Sequence, residues 1–343
     1  MRQIVGGIIG CGVIAPLHLA ALQSIEGVKV KYLADVDLAR AEKLAGDSGI
    51  TTVMDYHKLL DDPELDFVSV CTPHYTHSQI CLAAIARNKS FICEKPIGIN
   101  LAEIAQVREA LSRHPEVIAG GIFQHRHEFE TQLIRRWVEA GNFGVISNLH
   151  LNANCFRSAE YYQEDAWRGI WAEEGGSLLI NQAIHYIDLL RFWGGEVERV
   201  NFGAIRNLTH QNVIETEDCA VAAFQFKSGA LGSINASSSS VWPWRHVITI
   251  SGSEGALEFE VGHVTAYKFG TPERNQQFAA ELDEARKVAD ELMGKDYYGA
   301  GHRAQLEDFT RAVRDKRAPL VTWQAAAGSA ELVIQIYESA KGI

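Results

Sequence analysis

The sequence has no Cys-x-x-Cys pair and no Cys/His cluster at zinc-finger spacing. Its six cysteines, at 11, 71, 81, 93, 155 and 219, are scattered singly, as expected of reduced, mostly buried thiols in a cytosolic chain. No apolar run reaches the roughly 18 residues that a membrane helix needs. Residues 1–5 lead directly into a strand-like pattern, without the charged leader, apolar stretch and small-residue cleavage site of a secretory signal. The expected location is the cytoplasm. Positive charge is also scarce. Lys and Arg number 32 against 43 Asp and Glu, a net charge of −11, which argues against nucleic acid as a partner. Internal repeats and low-complexity linkers are absent. What is there is ordinary globular composition, 47% hydrophobic and 22% charged over 343 residues. That length predicts about two domains, with enough buried surface to fold without a disulfide or metal staple.

The rhythm of the chain divides it near residue 123. Strand candidates at 4–9, 28–34, 67–71, 91–93 and 117–121 alternate with helical periodicity at 14–24, 37–48, 76–88 and 100–112. Asn100 caps the last of these, with Glu103 completing a capping box. This β-α-β-α order predicts an α/β fold over 1–123, a doubly wound parallel sheet. Over 124–343, strand-like stretches follow one another at 145–156, 197–208, 218–227, 229–238, 246–251 and 255–260. They predict a second α/β domain with a large, mostly antiparallel open sheet. One helix interrupts them at 177–193, and helices close the chain at 273–293, 300–315 and 323–340.

Gly10-Cys11-Gly12-Val13-Ile14-Ala15 fits G-x-G-x-x-A, follows a strand and opens a helix, and Asp35 closes the next strand. Gly10 permits a tight turn, Gly12 leaves room for a pyrophosphate against the backbone, and Ala15 lets the helix pack on the strand. Gly10, Gly12, Val13, Ile14 and Asp35 are therefore expected to hold a dinucleotide, with Asp35 on the adenosine ribose. A carboxylate there, followed by Val36, favours NAD over NADP. Thr72, Pro73, His74 and His77 follow strand 67–71, at the carboxyl edge where such sheets bind ligands. Glu94 and Lys95 follow strand 91–93 in the same way, and Pro96 stiffens their turn. A lysine desolvated there loses pKa, as a general base requires.

In the second half, Gly175-Gly176 precede a helix on which Asn181, His185 and Asp188 stand at i, i+4 and i+7, a polar stripe opposite Leu179, Ile180 and Ala183. Together, Gly10-x-Gly12-x-x-Ala15, Glu94-Lys95-Pro96 and Gly175-Gly176 leading to Asn181-x-x-x-His185 resemble the Gfo/Idh/MocA oxidoreductase family. The segment Gly301-His302-Arg303 is similar as well. The resemblance implies a Rossmann domain followed by an α/β domain whose open sheet mediates oligomerisation. It implies hydride exchange between NAD and a hydroxyl carbon of a sugar or cyclitol, with Lys95 and His185 catalytic. Where the family often has Asp, this chain has Asn181, so the acid/base work would rest on Lys95 and His185.

Tyr161, Tyr162, Trp167 and Trp171 cluster before the helix with Arg157 and Arg168, a composition suited to sugar rings and their hydroxyls. Substrate is thus expected on Lys95, Arg157, Trp167, Arg168, Asn181 and His185, with no metal required. His125, Arg126 and His127 face either substrate or solvent. Residues 167–185 also look similar to the UDP-N-acetylhexosaminuronate 3-dehydrogenases. That branch, a same-fold enzyme with tightly held nicotinamide, and a non-catalytic NAD-sensing regulator remain open alternatives. An apolar outer sheet face carrying Val221 and Leu231 predicts a homodimer or homotetramer.

Overall fold

The computed structural model describes residues 2–293 and 299–341. In the first half, β1 (Ile4–Ile9), β2 (Val28–Ala34), β3 (Thr51–Val53), β4 (Phe67–Val70), β5 (Ser90–Cys93) and β6 (Ala119–Gly121) form one six-stranded sheet. Its order is β3-β2-β1-β4-β5-β6 and every neighbouring pair is parallel. The strand order reverses between β1 and β4, and ligands of such sheets bind beyond the carboxyl ends at that point. β4 and β5 are buried at every position, which is why they are apolar apart from Ser69 and Ser90. The crossovers carry α1 (Ala15–Ser24), α2 (Leu38–Ala45), α3 (Tyr56–Leu60), α4 (His77–Ile85) and α5 (Leu101–Arg113). The expected cap of α5 is present: Asn100 accepts from the Glu103 N–H at 2.9 Å, while Glu103 accepts from the Asn100 amide at 2.7 Å. β3 and α3 escape the sequence reading because three and five residues are too short to show a period.

The second half contains α6 (Phe129–Glu139), β7 (Ile146–Phe156), α7 (Ala159–Gln163), α8 (Ile184–Gly194), β8 (Val197–Arg206), β9 (Cys219–Phe226), β10 (Leu231–Ser237), β11 (Ser239–Gly252), β12 (Gly255–Glu260), β13 (His263–Phe269) and α9 (Pro272–Met293). The sheet order is β13-β12-β11-β7-β10-β9-β8. All neighbours are antiparallel except β7 and β10. Burial alternates along β9, β10 and β12. One face packs on α8, and the other leaves Phe202, Val221 and Leu231 exposed at 43%, 49% and 55%. Within β11 the register breaks between Ser239 and Trp244, leaving Val241 and Trp242 exposed.

Two helices close the chain, α10 (Gly299–Asp315) and α11 (Trp323–Lys341). The described residues of 1–124 and 296–327 make one compact unit, and those of 125–295 and 328–343 the other. The sequence reading takes 300–315 with the second domain, whereas in the structure this segment packs with the first unit. Leu306 and Phe309 of α10 are fully buried in the core of Ile8, Leu22, Phe67 and Ile92, and Phe309 packs edge-on to Phe67 at 5.6 Å. Sequence order carries no signal for such a return, because the apolar stripe of α10 would suit either core. No helix among the described residues is long and apolar enough to cross a membrane. All six cysteines are unpaired, and burial pushes the thiols of Cys11 and Cys155 up to about 12 and about 11.

Candidate functional site

The first unit contributes a row of turns at the carboxyl edge of its sheet. Gly10 has φ +91° and its N–H donates to the Ala34 carbonyl at 2.8 Å. A Cβ there would lie 2.6 Å from the Cys71 carbonyl oxygen, so only glycine fits. At Gly12 a Cβ would meet nothing within 4 Å, leaving the open space that a pyrophosphate needs before the N-terminus of α1. Val13 stands 90% exposed beside it, and Ile14 is half-buried and caps α1. Asp35 follows β2. Its Oδ2 accepts from the Cys11 N–H at 2.7 Å and its Oδ1 from the Asp37 N–H at 2.8 Å. The carboxylate is thus fixed beside the glycine turn, and Val36 next to it is 85% exposed. An open glycine, a helix N-terminus and an oriented acid together fit NAD.

Thr72, Pro73 and the buried His74 and His77 follow β4. His77 places Nδ1 2.7 Å from the Pro96 carbonyl and Nε2 2.7 Å from the Thr72 carbonyl, tying the two loops together. Lys95 lies in the loop after β5 and is half-buried, with a cis bond to Pro96. The carboxylate of Glu94, also expected at the cofactor, points inward: the residue is 8% exposed, and His18 Nε2 lies 2.8 Å from its Oε1. His302 Nε2 is 3.6 Å from the same oxygen. His302 is therefore an interior residue of the first unit, while Arg303 is exposed.

In the second unit the helix bearing His185 begins as a wide π-type turn, Leu178–Ala183, before α8. That turn breaks the i, i+4 register on which the polar stripe was read, and its three members go to different partners. Asn181 donates to Glu174 Oε1 at 2.6 Å. His185 is half-buried, edge-on to His125 with ring centroids 5.3 Å apart. Asp188 is buried in a two-pronged ion pair with Arg126, both contacts 2.6 Å, and accepts from Ser329 at 2.7 Å. Arg126 is thus a core residue, and His125 bonds Glu128.

The entry to the helix is held by two wholly buried carboxylates. Glu174 accepts from the Gly169 N–H at 2.5 Å as well as from Asn181. Glu217 accepts from the N–H groups of Ser177 and Leu179 and from the Tyr337 hydroxyl at 2.5 Å. Burial raises the Glu217 carboxyl above the usual carboxylate range. Gly176 has φ +137°, and a Cβ on it would fall 2.3 Å from the Tyr337 oxygen.

The expected substrate residues form a cation–aromatic stack. Arg157 donates to Gln182 at 2.6 and 2.9 Å and lies over the rings of Tyr161 and Trp244, 4.7 and 5.2 Å from their centroids. Arg168 pairs with Glu164 and Asp165 and covers Tyr161 at 4.2 Å, and Trp167 is half-buried beside it. Sequence reasoning missed His246, which is fully buried, stacked on Trp244 at 4.4 Å and equally close to Tyr186. Burial above all, with the neighbouring Arg157 guanidinium adding to it, pulls it down to about 3, so it is neutral. It also missed His18, although a histidine on the apolar face of α1 is itself a signal.

A family model described as the NAD-binding Rossmann fold of an oxidoreductase family matches residues 4–121. The model of the same family's C-terminal alpha/beta domain matches 135–342. The myo-inositol 2-dehydrogenase of Thermotoga maritima is 29% identical over 73% of this chain and 73% of its own. An uncharacterized oxidoreductase, YrbE, of Bacillus subtilis is 28% identical over 79% of this chain and 77% of its own. Among solved structures, the WlbA dehydrogenase from Bordetella pertussis, in complex with NADH and UDP-GlcNAcA, superposes with a TM-score of 0.88 at 26% identity. That match covers 100% of this chain and 97% of the other. With both models matched in order and a glycine turn shaped for the dinucleotide, the chain belongs to the Gfo/Idh/MocA family of oxidoreductases and takes NAD as its cofactor.

Proposed function

We propose that this protein is an NAD-dependent dehydrogenase acting on a secondary hydroxyl of a sugar, sugar derivative or cyclitol. The observation that carries the reading is Lys95, half-buried at the carboxyl edge of the sheet in the same row of turns as the open glycine and Asp35. NAD, when bound, supplies the hydride acceptor. Lys95 takes the hydroxyl proton as hydride leaves the same carbon, and His185 orients that oxygen or shares its proton. Asn181, a neutral amide already donating to Glu174, binds rather than relays. Arg157, Trp167 and Arg168 hold the ring and its substituents. The likeness to an inositol dehydrogenase supports this substrate class. The test is a panel of aldoses, cyclitols, uronates and UDP-sugars screened for NADH formation in mildly alkaline buffer. NAD binding with no turnover of any of them would favour a sensing role and overturn the proposal.

A nucleotide-sugar uronate is the second reading, favoured by the full-length likeness to the dehydrogenase solved with UDP-GlcNAcA. Turnover of a UDP-uronate alone in that panel would select it. We further propose that the chain works in the cytoplasm as a closed homo-oligomer, dimer or tetramer, because Phe202, Val221 and Leu231 leave large apolar side chains exposed on the outer face of the sheet. Sedimentation at micromolar concentration should show the oligomer, and Val221→Lys with Leu231→Lys should shift it to monomer. A wild-type chain that sediments as a stable monomer contradicts this.

A further inference from the structure

Behind Lys95 runs a buried polar chain to which the proposed function assigns no role. Its centre is Glu94. On one side is His18 of α1, fully buried; on the other is His302 of α10, 3% exposed. His18 continues through Nδ1 to the hydroxyl of the buried Ser69 on β4 at 2.7 Å, and Ser69 meets the Cys71 thiol at 3.7 Å. The far carboxylate oxygen of Glu94 accepts from the Lys95 backbone N–H at 3.2 Å. Groups from α1, β4 and α10 thus converge on the residue next to the lysine.

One proton arrangement satisfies this chain. The Cys71 thiol donates to Ser69, the Ser69 hydroxyl donates to His18 Nδ1, and His18 Nε2–H donates to Glu94. His18 is then neutral, in keeping with burial, which lowers its pKa. Glu94 remains ionised, because His18 and His302 together outweigh its burial and hold it well below the carboxylate range. The negative charge is therefore not cancelled by His18. It faces His18, His302, the thiols of Cys71 and Cys93, and His77 of α4. His77 also feels the charge of Lys95 and grips the far side of the same turn through the Pro96 carbonyl. A buried carboxylate costs several kcal/mol of desolvation, which a purely packing role does not require.

We propose that Glu94, clamped between His18 and His302, is the positioning residue for Lys95: it holds the lysine's backbone N–H and fixes one negative charge beneath it. This rests on the reading of Lys95 as the acid/base group. A metal is the competing use, since donor atoms of His18, Glu94 and His302 lie within 4.8 Å of one another. The 2.8 Å contact of His18 with Glu94 is hydrogen-bond length, and the other His18 nitrogen is taken by Ser69.

The test is competitive acetylation of the full-length protein with acetic anhydride across pH, read residue by residue by mass spectrometry. In Glu94→Gln the amide still offers an oxygen to Lys95, and His18 can exchange tautomers, so only the charge is lost. The midpoint of Lys95 reactivity should fall by about one pH unit, as loss of a nearby opposite charge requires, with Lys31 and Lys227 unmoved. Glu94→Asp should restore it. An unmoved Lys95 midpoint in folded Glu94→Gln overturns the inference. A second measurement needs no variant: in the wild-type protein the Lys95 amide should exchange its hydrogen at least about tenfold more slowly than an open amide. Exchange at the open rate removes the clamp. Stoichiometric zinc in the purified protein that disappears in His18→Gln would also overturn it. Full turnover by Lys95→Ala would instead sink the catalytic reading while leaving the labelling result standing.

Discussion

The row of turns around Lys95 and the helix entry around His185 are built in opposite ways. The first is held largely by neighbours in the sheet: the Gly10 N–H donates to the Ala34 carbonyl, the Cys11 N–H to the Asp35 carboxylate, and the Glu94 N–H to the Val70 carbonyl at 2.9 Å. The second is held by side chains from far along the chain. Glu217 lies 40 residues from Ser177, and the Tyr337 hydroxyl accepts from an N–H 157 residues away at Ile180. A parallel sheet places successive strand ends in one row, so short spacings suffice to find what stands there. A site braced by remote buried carboxylates has no such local mark.

The difference breaks most sharply at the Arg126–Asp188 pair. Asp188→Asn leaves the buried guanidinium without its countercharge and should cost about 3–5 kcal/mol by chemical denaturation, while NADH affinity of the folded protein stays near wild type. A loss below about 1 kcal/mol would show that the second unit does not depend on this buried charge.

Two glycines sharpen the same contrast. Gly176→Ala forces a side chain into φ +137° and onto the Tyr337 oxygen, and should destabilise by about 3 kcal/mol without changing NADH affinity. Gly12→Ala meets nothing and should alter stability by less than about 0.5 kcal/mol, yet weaken NADH at least about tenfold by filling the pyrophosphate's space. If both behave alike in denaturation and in NADH titration, the contrast is wrong.

Lys95→Ala comes next. It should lower kcat at least about 10²-fold with NADH binding nearly intact. His185→Ala should cost less in kcat and more in KM. Were Lys95 only a cofactor contact, Lys95→Met would raise the Kd for NADH and spare turnover at saturation.

Legibility follows the same division. The glycine turn, Asp35 and the Glu94-Lys95 loop were readable because strand, turn and helix are contiguous there. The inward turn of Glu94 was not, since His18 and His302 reach it across 76 and more than 200 residues. The stripe of Asn181, His185 and Asp188 was read at α-helical pitch. The π-type turn Leu178–Ala183 undoes that pitch, and a run of Leu178, Leu179 and Ile180, apolar all round, gives no sign of it. The return of α10 is likewise a property of the whole fold, as is the unforeseen β13 at the sheet's edge.

The smallest effect tests how the two kinds of bracing meet at Asp35. Both of its oxygens already accept backbone N–H groups, from Cys11 and Asp37, which fixes the carboxylate's orientation before any ribose arrives. Each oxygen keeps a second lone pair for a ribose hydroxyl. A 2′-phosphate brought to the same place would meet an unscreened like charge, worth up to about 4 kcal/mol at 4 Å in an effective dielectric of 20. Val36, exposed beside it, offers no donor to offset that. The wild-type enzyme should therefore prefer NAD over NADP by at least about tenfold in kcat/KM. Asp35→Ser removes the repulsion but also frees the Cys11 N–H, so it should cost about 1–2 kcal/mol of stability. Adding Val36→Arg supplies a phosphate partner and should bring the two cofactors to within about tenfold of each other. Equal or better use of NADP by the wild-type chain would show that Asp35 braces the glycine turn and does not read the ribose.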